Sequence, residues 1–230
     1  MHKVNEFAKI RKRLKALGSK RRAAELKKAH RGRIKAYGVS PSDIKKTASV
    51  FAKFYIRNKD IDGAYLLADE LVKARTYEEP AVGIEIMAKF IRQIDMRAFW
   101  TLERWVDYMN TDDNTQLLCS KLLGPILRSH EHDLKYIYHW ADSTNRWRRV
   151  AAACVMIELV RSKQDIDEAF DMAKRLCGER VVDILDSFKK LLELLTKADK
   201  KRMKIFMNDH SYHIQDYIVE DIEKRLKRRR

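Results

Sequence analysis

Residues 61–75, with the sequence IDGAYLLADELVKAR, decide the fold class. Their apolar side chains recur every three or four positions, which is the spacing of one face of an α-helix. No stretch of comparable length alternates with a period of two, the spacing of a half-buried strand. The helical spacing recurs in five further segments: 44–55, 82–94, 117–127, 150–160 and 181–195. The sequence therefore predicts an all-α protein.

The composition agrees with this prediction. Only seven Gly and three Pro occur among the 230 residues, too few turn residues for a β-sandwich or barrel. Helix pairs follow one another roughly every 35–40 residues, close to the period of HEAT-type arrays. This spacing fits a solenoid of stacked helix pairs and also a globular bundle. With no low-complexity linker in the chain, we predict a single domain over 1–230.

Helix boundaries are marked by capping residues. Ser40 precedes Pro41 and Asp43, which suits an N-cap, a first-turn proline and an acid near the positive end of a helix. Asp60 and Thr76 are further candidate helix starts. We expect a helix to begin after each of these positions.

The net charge of +16 is unevenly distributed. Residues 1–38 hold 14 Lys and Arg against two Glu, whereas residues 60–142 carry a net charge of −6 and residues 143–230 one of +6. Basic regions around an acidic middle favour a polyanionic partner, and nucleic acid, DNA or RNA, is our first prediction from charge. A solvated helix face and contact with acidic lipids are the alternatives.

The chain has a basic N-terminal extension, about 1–38, and a basic tail, 224–230. Segments 9–15 and 20–28 have few apolar residues, and we expect them and the tail, 224–230, to become ordered only on a partner. The candidate DNA contacts in this extension are Lys20, Arg21, Arg22, Lys27 and Lys28.

Several functional classes are excluded by missing motifs. The chain has no glycine-rich phosphate loop, G-x-S-x-G or H-E-x-x-H, so we predict no cofactor. Its three Cys are far apart, and we expect them to be small buried apolar groups. His130 with His132, and His210 with His213, lack metal-ligand spacing, so we predict no metal site.

We expect no membrane association and an intracellular location. The longest uncharged apolar stretch, 150–157, is too short to span a bilayer, and the first residues lack the apolar centre of a secretory signal. The predicted compartment is the cytoplasm, with nucleoid association if the source is bacterial.

Residues 140–152, WADSTNRWRRVAA, form the first group of candidate functional residues. Ser143 or Asn145 can cap a helix whose first turn presents Arg146, Trp147, Arg148 and Arg149. Guanidinium groups beside a helix N-terminus suit phosphate binding. Trp147 can pack on a sugar or base, or it can be a core anchor together with Trp140.

Asp112 and Asp113 belong to a second group, within the segment 99–119, FWTLERWVDYMNTDDNTQLLC. They can cap a helix that begins near Asn114. Alternatively, one carboxylate can stabilise the positive charge that builds on a sugar when its bond to a base breaks.

The segment 140–152 resembles the AlkD-like DNA alkylation repair proteins, which are helical HEAT-like-repeat DNA glycosylases. Weaker similarities follow in the same order at 37–39, 68–79 and 117–124. The resemblance implies a right-handed α-solenoid of antiparallel helix pairs that grips duplex DNA in a basic concave groove. It also implies an enzyme, here expected to be monomeric, that hydrolyses the N-glycosidic bond of N3- or N7-alkylated purines.

The positions that match the family's catalytic residues differ in this chain. The family's Arg falls on Val150, its Asp near Thr115 or Gln116, and its Trp near Asp112.

A shifted register lets Asp112 or Asp113, together with Arg148 or Arg149, take these roles, and the candidate catalytic residues are Asp112, Asp113 and Arg149. Two other functions stay open. One is a non-catalytic family member that recognises distorted or branched DNA, and the other is a helical-repeat scaffold that binds an acidic protein.

Overall fold

The computed structural model describes residues 2–129 and 134–227. Over these ranges the chain forms helices and no β-strand, and one isolated bridge joins Lys35 to Thr76. The predicted all-α class is confirmed, with helices packed against one another as in α-solenoid-like folds. His130, His132 and the end of the predicted basic tail, 228–230, lie outside the described residues.

The chain divides into two compact units, Met1–Ile126 and Leu127–Arg230. The single domain over 1–230 and the right-handed superhelix stay predictions. The helices of the first unit are α1 (His2–Leu17), α2 (Lys20–Ala29), α3 (Pro41–Asn58), α4 (Ile61–Val72), α5 (Glu78–Met87), α6 (Met96–Leu102) and α7 (Asp112–Leu118), with 3-10 helices at Ala88–Gln93 and Glu103–Tyr108 and a π-helix at Cys119–Leu123.

The boundary between the units falls within α8 (Gly124–Ser129). The second unit continues with α9 (Lys135–Ala141), α10 (Arg146–Arg161), α11 (Ile166–Leu176), α12 (Val182–Ala198), α13 (Lys200–His210) and α14 (Asp216–Lys227), and with a 3-10 helix at Ser211–His213. Here α10 is the central helix: it packs on α9, α11 and α12, and Val150–Ile157 is buried throughout. Helices that are apolar on all sides belong in the interior.

Capping follows the sequence prediction at two of the three positions. Ser40 accepts a hydrogen bond from the Asp43 amide, with Pro41 in the first turn of α3, and Asp60 accepts one from the Gly63 amide at the start of α4. Thr76 lies one residue before the N-cap of α5, which is Tyr77. The Thr76 hydroxyl still accepts a hydrogen bond from the Glu79 amide, at 3.3 Å.

The expectation that segments 9–15 and 20–28 and the tail order only on a partner is wrong for the described residues. Of the tail, residues 224–227 continue α14 (Asp216–Lys227). Both segments are helical, in α1 and α2. Ile10 and Leu14 are fully buried, where α1 packs on α3 and α4. These two apolar residues, four positions apart, form a narrow buried stripe on an otherwise basic helix.

All ten residues of α5 are buried, including three glutamates. Glu78 accepts hydrogen bonds from the backbone amides of Tyr37, Gly38 and Val39 at 3.0, 2.7 and 3.2 Å. Gly38 has a φ of +80°, and a Cβ there would lie 2.1 Å from the Ser19 carbonyl oxygen, so only glycine fits. The Glu78 carboxylate therefore fixes the loop that leads into α3.

Glu79 ties the same loop to α1. Its carboxylate accepts from Arg11 Nε at 2.6 Å, Tyr37 Oη at 3.0 Å and Thr76 Oγ1 at 2.8 Å. Burial alone would raise the pKa of Glu79, but these hydrogen bonds outweigh it and lower the pKa. Burial and the neighbouring Glu79 charge raise the pKa of Tyr37 to about 12.

We expect Glu78→Ala to lower the free energy of unfolding by about 3 kcal/mol, because it leaves buried amide donors without a partner. The control is Glu70→Ala, which removes an exposed carboxylate from α4 and should change stability by less than about 0.5 kcal/mol. Urea unfolding followed by circular dichroism measures both. Equal effects of the two substitutions would contradict the assigned role of Glu78.

Candidate functional site

Helix α2 presents a cationic surface to solvent. None of its residues is buried, and it begins at an N-cap, Ser19, whose hydroxyl accepts from the Arg22 amide. Arg21 pairs with Glu25 at 3.0 Å, but both side chains are largely exposed, so solvent screens the pair and it contributes little. The five basic residues predicted to contact DNA are all exposed on this helix: Lys20, Arg21, Arg22, Lys27 and Lys28.

His30, the C-cap residue of α2, links this helix to the two predicted carboxylates. Its Nδ1 lies 3.8 Å from Asp112 Oδ1 and its Nε2 lies 3.4 Å from Asp113 Oδ2. Tyr77 donates its hydroxyl proton to Asp113 Oδ2 at 2.9 Å, and the His30 and Tyr77 rings have centroids 5.6 Å apart. His30 and Tyr77 were not predicted as site residues, because a histidine that ends a basic helix has an ordinary capping role.

Asp112 and Asp113 do not cap a helix. α7 begins at Asp112 rather than near Asn114, and its N-cap is Thr111, whose hydroxyl accepts from the Asn114 amide. The predicted capping role is therefore wrong, and both acids lie in the first turn instead. Burial and the neighbouring Asp113 charge raise the pKa of Asp112. Burial and Asp113 likewise raise the pKa of Tyr77, so Tyr77 stays protonated and donates.

Among the described residues, His30, Asp112 and Asp113 are the one group whose ligand atoms lie close enough together for a metal ion, within 4.8 Å of one another. The two imidazole nitrogens, however, face different carboxylates. This is the arrangement of an imidazole bridging two acids, whereas a single ion binds one ring nitrogen. The absence of a metal stays a prediction.

Asn145 is the N-cap residue of α10, one of the two residues predicted for this role. Its side chain accepts from the Trp147 amide at 2.9 Å. Trp147 and Trp140 are buried, as core anchors are. Arg146 lies over the Trp147 ring and also contacts Asp183 at 3.3 Å, and Arg148 lies 6.0 Å from the Trp140 ring centroid.

Arg149 is held inside the second unit. Its Nε lies 2.6 Å from Glu179 Oε1, and one terminal nitrogen donates to the carbonyl oxygens of Ser143 and Thr144 at 2.6 and 3.3 Å. The Nε–H does not point along the Glu179 contact, so the pair is a charge contact rather than an aligned hydrogen bond. Only 16% of the Arg149 side chain is exposed.

The model of one protein family, described as DNA alkylation repair enzyme, matches residues 10–221. The match covers nearly the whole chain. The chain belongs to the DNA alkylation repair enzyme family. No curated protein matches it.

The resemblance described in the sequence analysis places the family's catalytic Arg at Val150 and its Asp near Thr115 or Gln116, and none of these three side chains is ionisable. Val150 is fully buried. Thr115 is also fully buried and donates to the Thr111 carbonyl oxygen at 2.8 Å. Gln116 is half-buried on α7. Asp112 and Asp113 are the acids of α7 itself.

The remaining predictions for single residues have clear outcomes. All three Cys are free and buried, as predicted. Trp105 is buried and donates to Asp69 Oδ1 at 3.0 Å, whereas Trp100 is about half exposed.

Within the described part of the chain, no helix is both long and apolar enough to cross a membrane.

We expect Asp112→Asn to stabilise the protein near neutral pH. The folded-state pKa of Asp112 is raised above its unfolded value, so folding favours the protonated acid. That contribution is present at low pH and is lost as pH rises from the unfolded pKa, about 4, through the raised folded value. The stability difference between variant and wild type should therefore be larger at pH 7 than at pH 4.

Thermal unfolding at the two pH values measures this difference. The matched control is Asp62→Asn, which neutralises an exposed acid in the first turn of α4. A loss of stability for Asp112→Asn at pH 7 would show that its charge contributes favourably to the contact with His30.

Proposed function

We propose that this protein binds duplex DNA, as a monomer, and acts on alkylated bases in it. The observation that carries the proposal is the exposed cationic surface of α2, which His30 joins to the carboxylates of Asp112 and Asp113. Membership of the DNA alkylation repair enzyme family supports DNA as the partner. DNA as the partner is also consistent with the predicted intracellular location.

The five basic side chains of α2 are suited to contact phosphate. They are exposed, and a single acid, Glu25, lies among them on the helix. Each phosphate that they neutralise releases a condensed counterion, which makes the affinity depend steeply on salt.

The start of α10 is a second proposed DNA contact, with weaker support. Arg146 and Arg149 already contact Asp183 and Glu179, so a phosphate would have to compete with these acids. Trp147 is buried and would support the arginines through packing rather than stack on a base. Arg148 completes this proposed surface.

The proposed reaction is the release of an N3- or N7-alkylated purine, in which water replaces the base at the sugar carbon. The positive charge of such a base makes it a good leaving group, and the departing base leaves positive charge on the sugar. A carboxylate stabilises that charge. Asp113 is the better placed acid because half of its side chain is exposed and Tyr77 orients it.

DNA binding without base release is the second candidate. The absence of an acid at Thr115 and of a cation at Val150 favours it, since these positions match the catalytic residues of the family. In that case the protein would recognise the backbone of distorted or branched DNA.

Replacing two lysines of α2 should weaken duplex binding and reduce its salt dependence. For Lys27→Gln/Lys28→Gln we expect the slope of log K against log salt to become shallower by about 2, because two phosphate contacts are lost. The matched control, Lys53→Gln/Lys89→Gln, removes two exposed lysines outside α2 and should leave the slope unchanged. Fluorescence anisotropy with a labelled duplex measures both. Wild-type binding that does not respond to salt would favour a scaffold for an acidic protein.

The catalytic part of the proposal is tested by base release from a methylated duplex. We expect Asp113→Asn to slow release by about 100-fold, the usual cost of losing a group that stabilises transition-state charge, with unchanged duplex affinity. Asp112→Asn and Arg149→Ala test the other two candidates, and Asp62→Asn is the control. No release by wild-type protein that binds duplex would support the binding-only function, and full activity in all three variants would refute the site.

A further inference from the structure

A cavity of about 220 Å³ lies in the first unit, bordered by α2, the start of α3, α5 and α7. Its walls are largely apolar and include Leu26, Val39, Ile44, Ala81 and Leu117. A cavity of about 150 Å³ accommodates benzene, whereas pockets for drug-sized molecules begin near 300 Å³. The cavity is therefore the size of one aromatic ring system.

Glu85, the third buried glutamate of α5, lines this cavity and is 5% exposed. Glu78 and Glu79 have full sets of hydrogen-bond donors. Glu85, by contrast, has neither a hydrogen bond nor an ion pair with any residue that the structure describes. A carboxylate that lines a cavity and receives no donor from the described residues can accept N–H groups from a ligand.

The cavity opens beside cations. Arg22 of α2 and Lys45 of α3 border it, and both side chains are exposed. Tyr77 and Asp113 border it as well, with the Tyr77 hydroxyl held by Asp113. The site thus combines an inner carboxylate, apolar walls that suit a flat ring, and two cations that suit a phosphate.

We infer that this cavity binds a guanine nucleotide, with the base facing Glu85 and the phosphate near Arg22 and Lys45. Guanine is the one common base with two adjacent N–H donors, N1–H and the N2 amino group, which match the two oxygens of a carboxylate. Adenine and cytosine place an acceptor beside their amino group, and thymine flanks its N–H with two carbonyl oxygens. A buried carboxylate discriminates strongly against such mismatched edges.

The nucleotide has two possible sources, a base extruded from a duplex and a free nucleotide. The first source rests on the proposed function, whereas the second does not. An extruded base would leave the stack on the side that contacts α2, because Arg22 belongs both to that cationic surface and to the cavity border.

The first arm of the test is calorimetric titration of the full chain with guanosine 5′-monophosphate. We expect binding that weakens at least tenfold in Glu85→Gln, because the glutamine amide presents a donor to a donor. Inosine 5′-monophosphate, which lacks the N2 amino group, should also bind at least tenfold more weakly. The matched control is Glu70→Gln, at an exposed glutamate of α4, and it should bind like wild type.

A second variant keeps the test valid if Glu85→Gln does not fold. Leu26→Trp fills the cavity from the partly exposed side of α2 and leaves Glu85 intact, and it should abolish nucleotide binding with unchanged circular dichroism. Binding that survives either folded variant overturns the inference. Methylguanidinium that binds as tightly as the nucleotide also overturns it, because the cavity would then recognise an arginine-like group.

The second arm separates the two sources. A duplex with a fluorescent guanine analogue opposite an abasic site reports extrusion, and its signal should change with wild type and not with Glu85→Gln. A response to the free nucleotide alone assigns the site to a free ligand, and no response in either arm overturns the inference. For an intact duplex, Glu85→Gln should keep the affinity and salt slope of wild type, so failure of this site is distinguishable from failure of DNA binding.

Discussion

The first unit depends on how the carboxylates of α5 are neutralised. A helix that is buried on all sides has no water to solvate its acids, so each acid must find donors within the protein or carry an energetic cost. Glu78 finds three backbone amides and Glu79 finds Arg11, Tyr37 and Thr76. These contacts reach residues about 40 and 68 positions earlier in the sequence. The acids of α5 therefore hold α1 and the loop before α3 against the core.

This anchoring explains why a strongly basic N-terminal region is folded. Repulsion among 14 basic residues opposes compaction, and the buried stripe of α1 together with the Arg11–Glu79 pair counteracts it. The lysines and arginines of α2 are left on the surface. At the start of α10 in the second unit, by contrast, Arg146 and Arg149 contact acids of the same unit. Positive charge is thus more available for a partner on α2 than at the start of α10.

The sequence was sufficient for the helices and for caps whose chemistry is local, such as Ser40 and Asp60, because helical spacing and capping act over a few residues. It was insufficient where the partner lies far away in the chain. Thr111, Asp112 and Asp113 are all suitable N-cap residues for α7, and the backbone conformation makes Thr111 the N-cap. The contact between His30 and those aspartates joins residues about 80 positions apart. Likewise, nothing in the local sequence separates Glu85, which has no partner among the residues that the structure describes, from Glu78, which has three donors.

The difference between Glu85 and the other glutamates of α5 bears on the function of this family member. A catalytic inventory taken from the family positions points to Val150 and Thr115, both fully buried and both without ionisable groups. The structure instead places ionisable groups elsewhere: Asp112 and Asp113 repel each other beside a single imidazole, and Glu85 lines a cavity without a hydrogen bond or ion pair to any described residue. Clusters of ionisable groups in and beside a cavity are candidates for binding and catalysis. Asp113 and Arg22 border the cavity that Glu85 lines. One bound nucleotide would therefore donate hydrogen bonds to the Glu85 carboxylate and contact α2 at the same time.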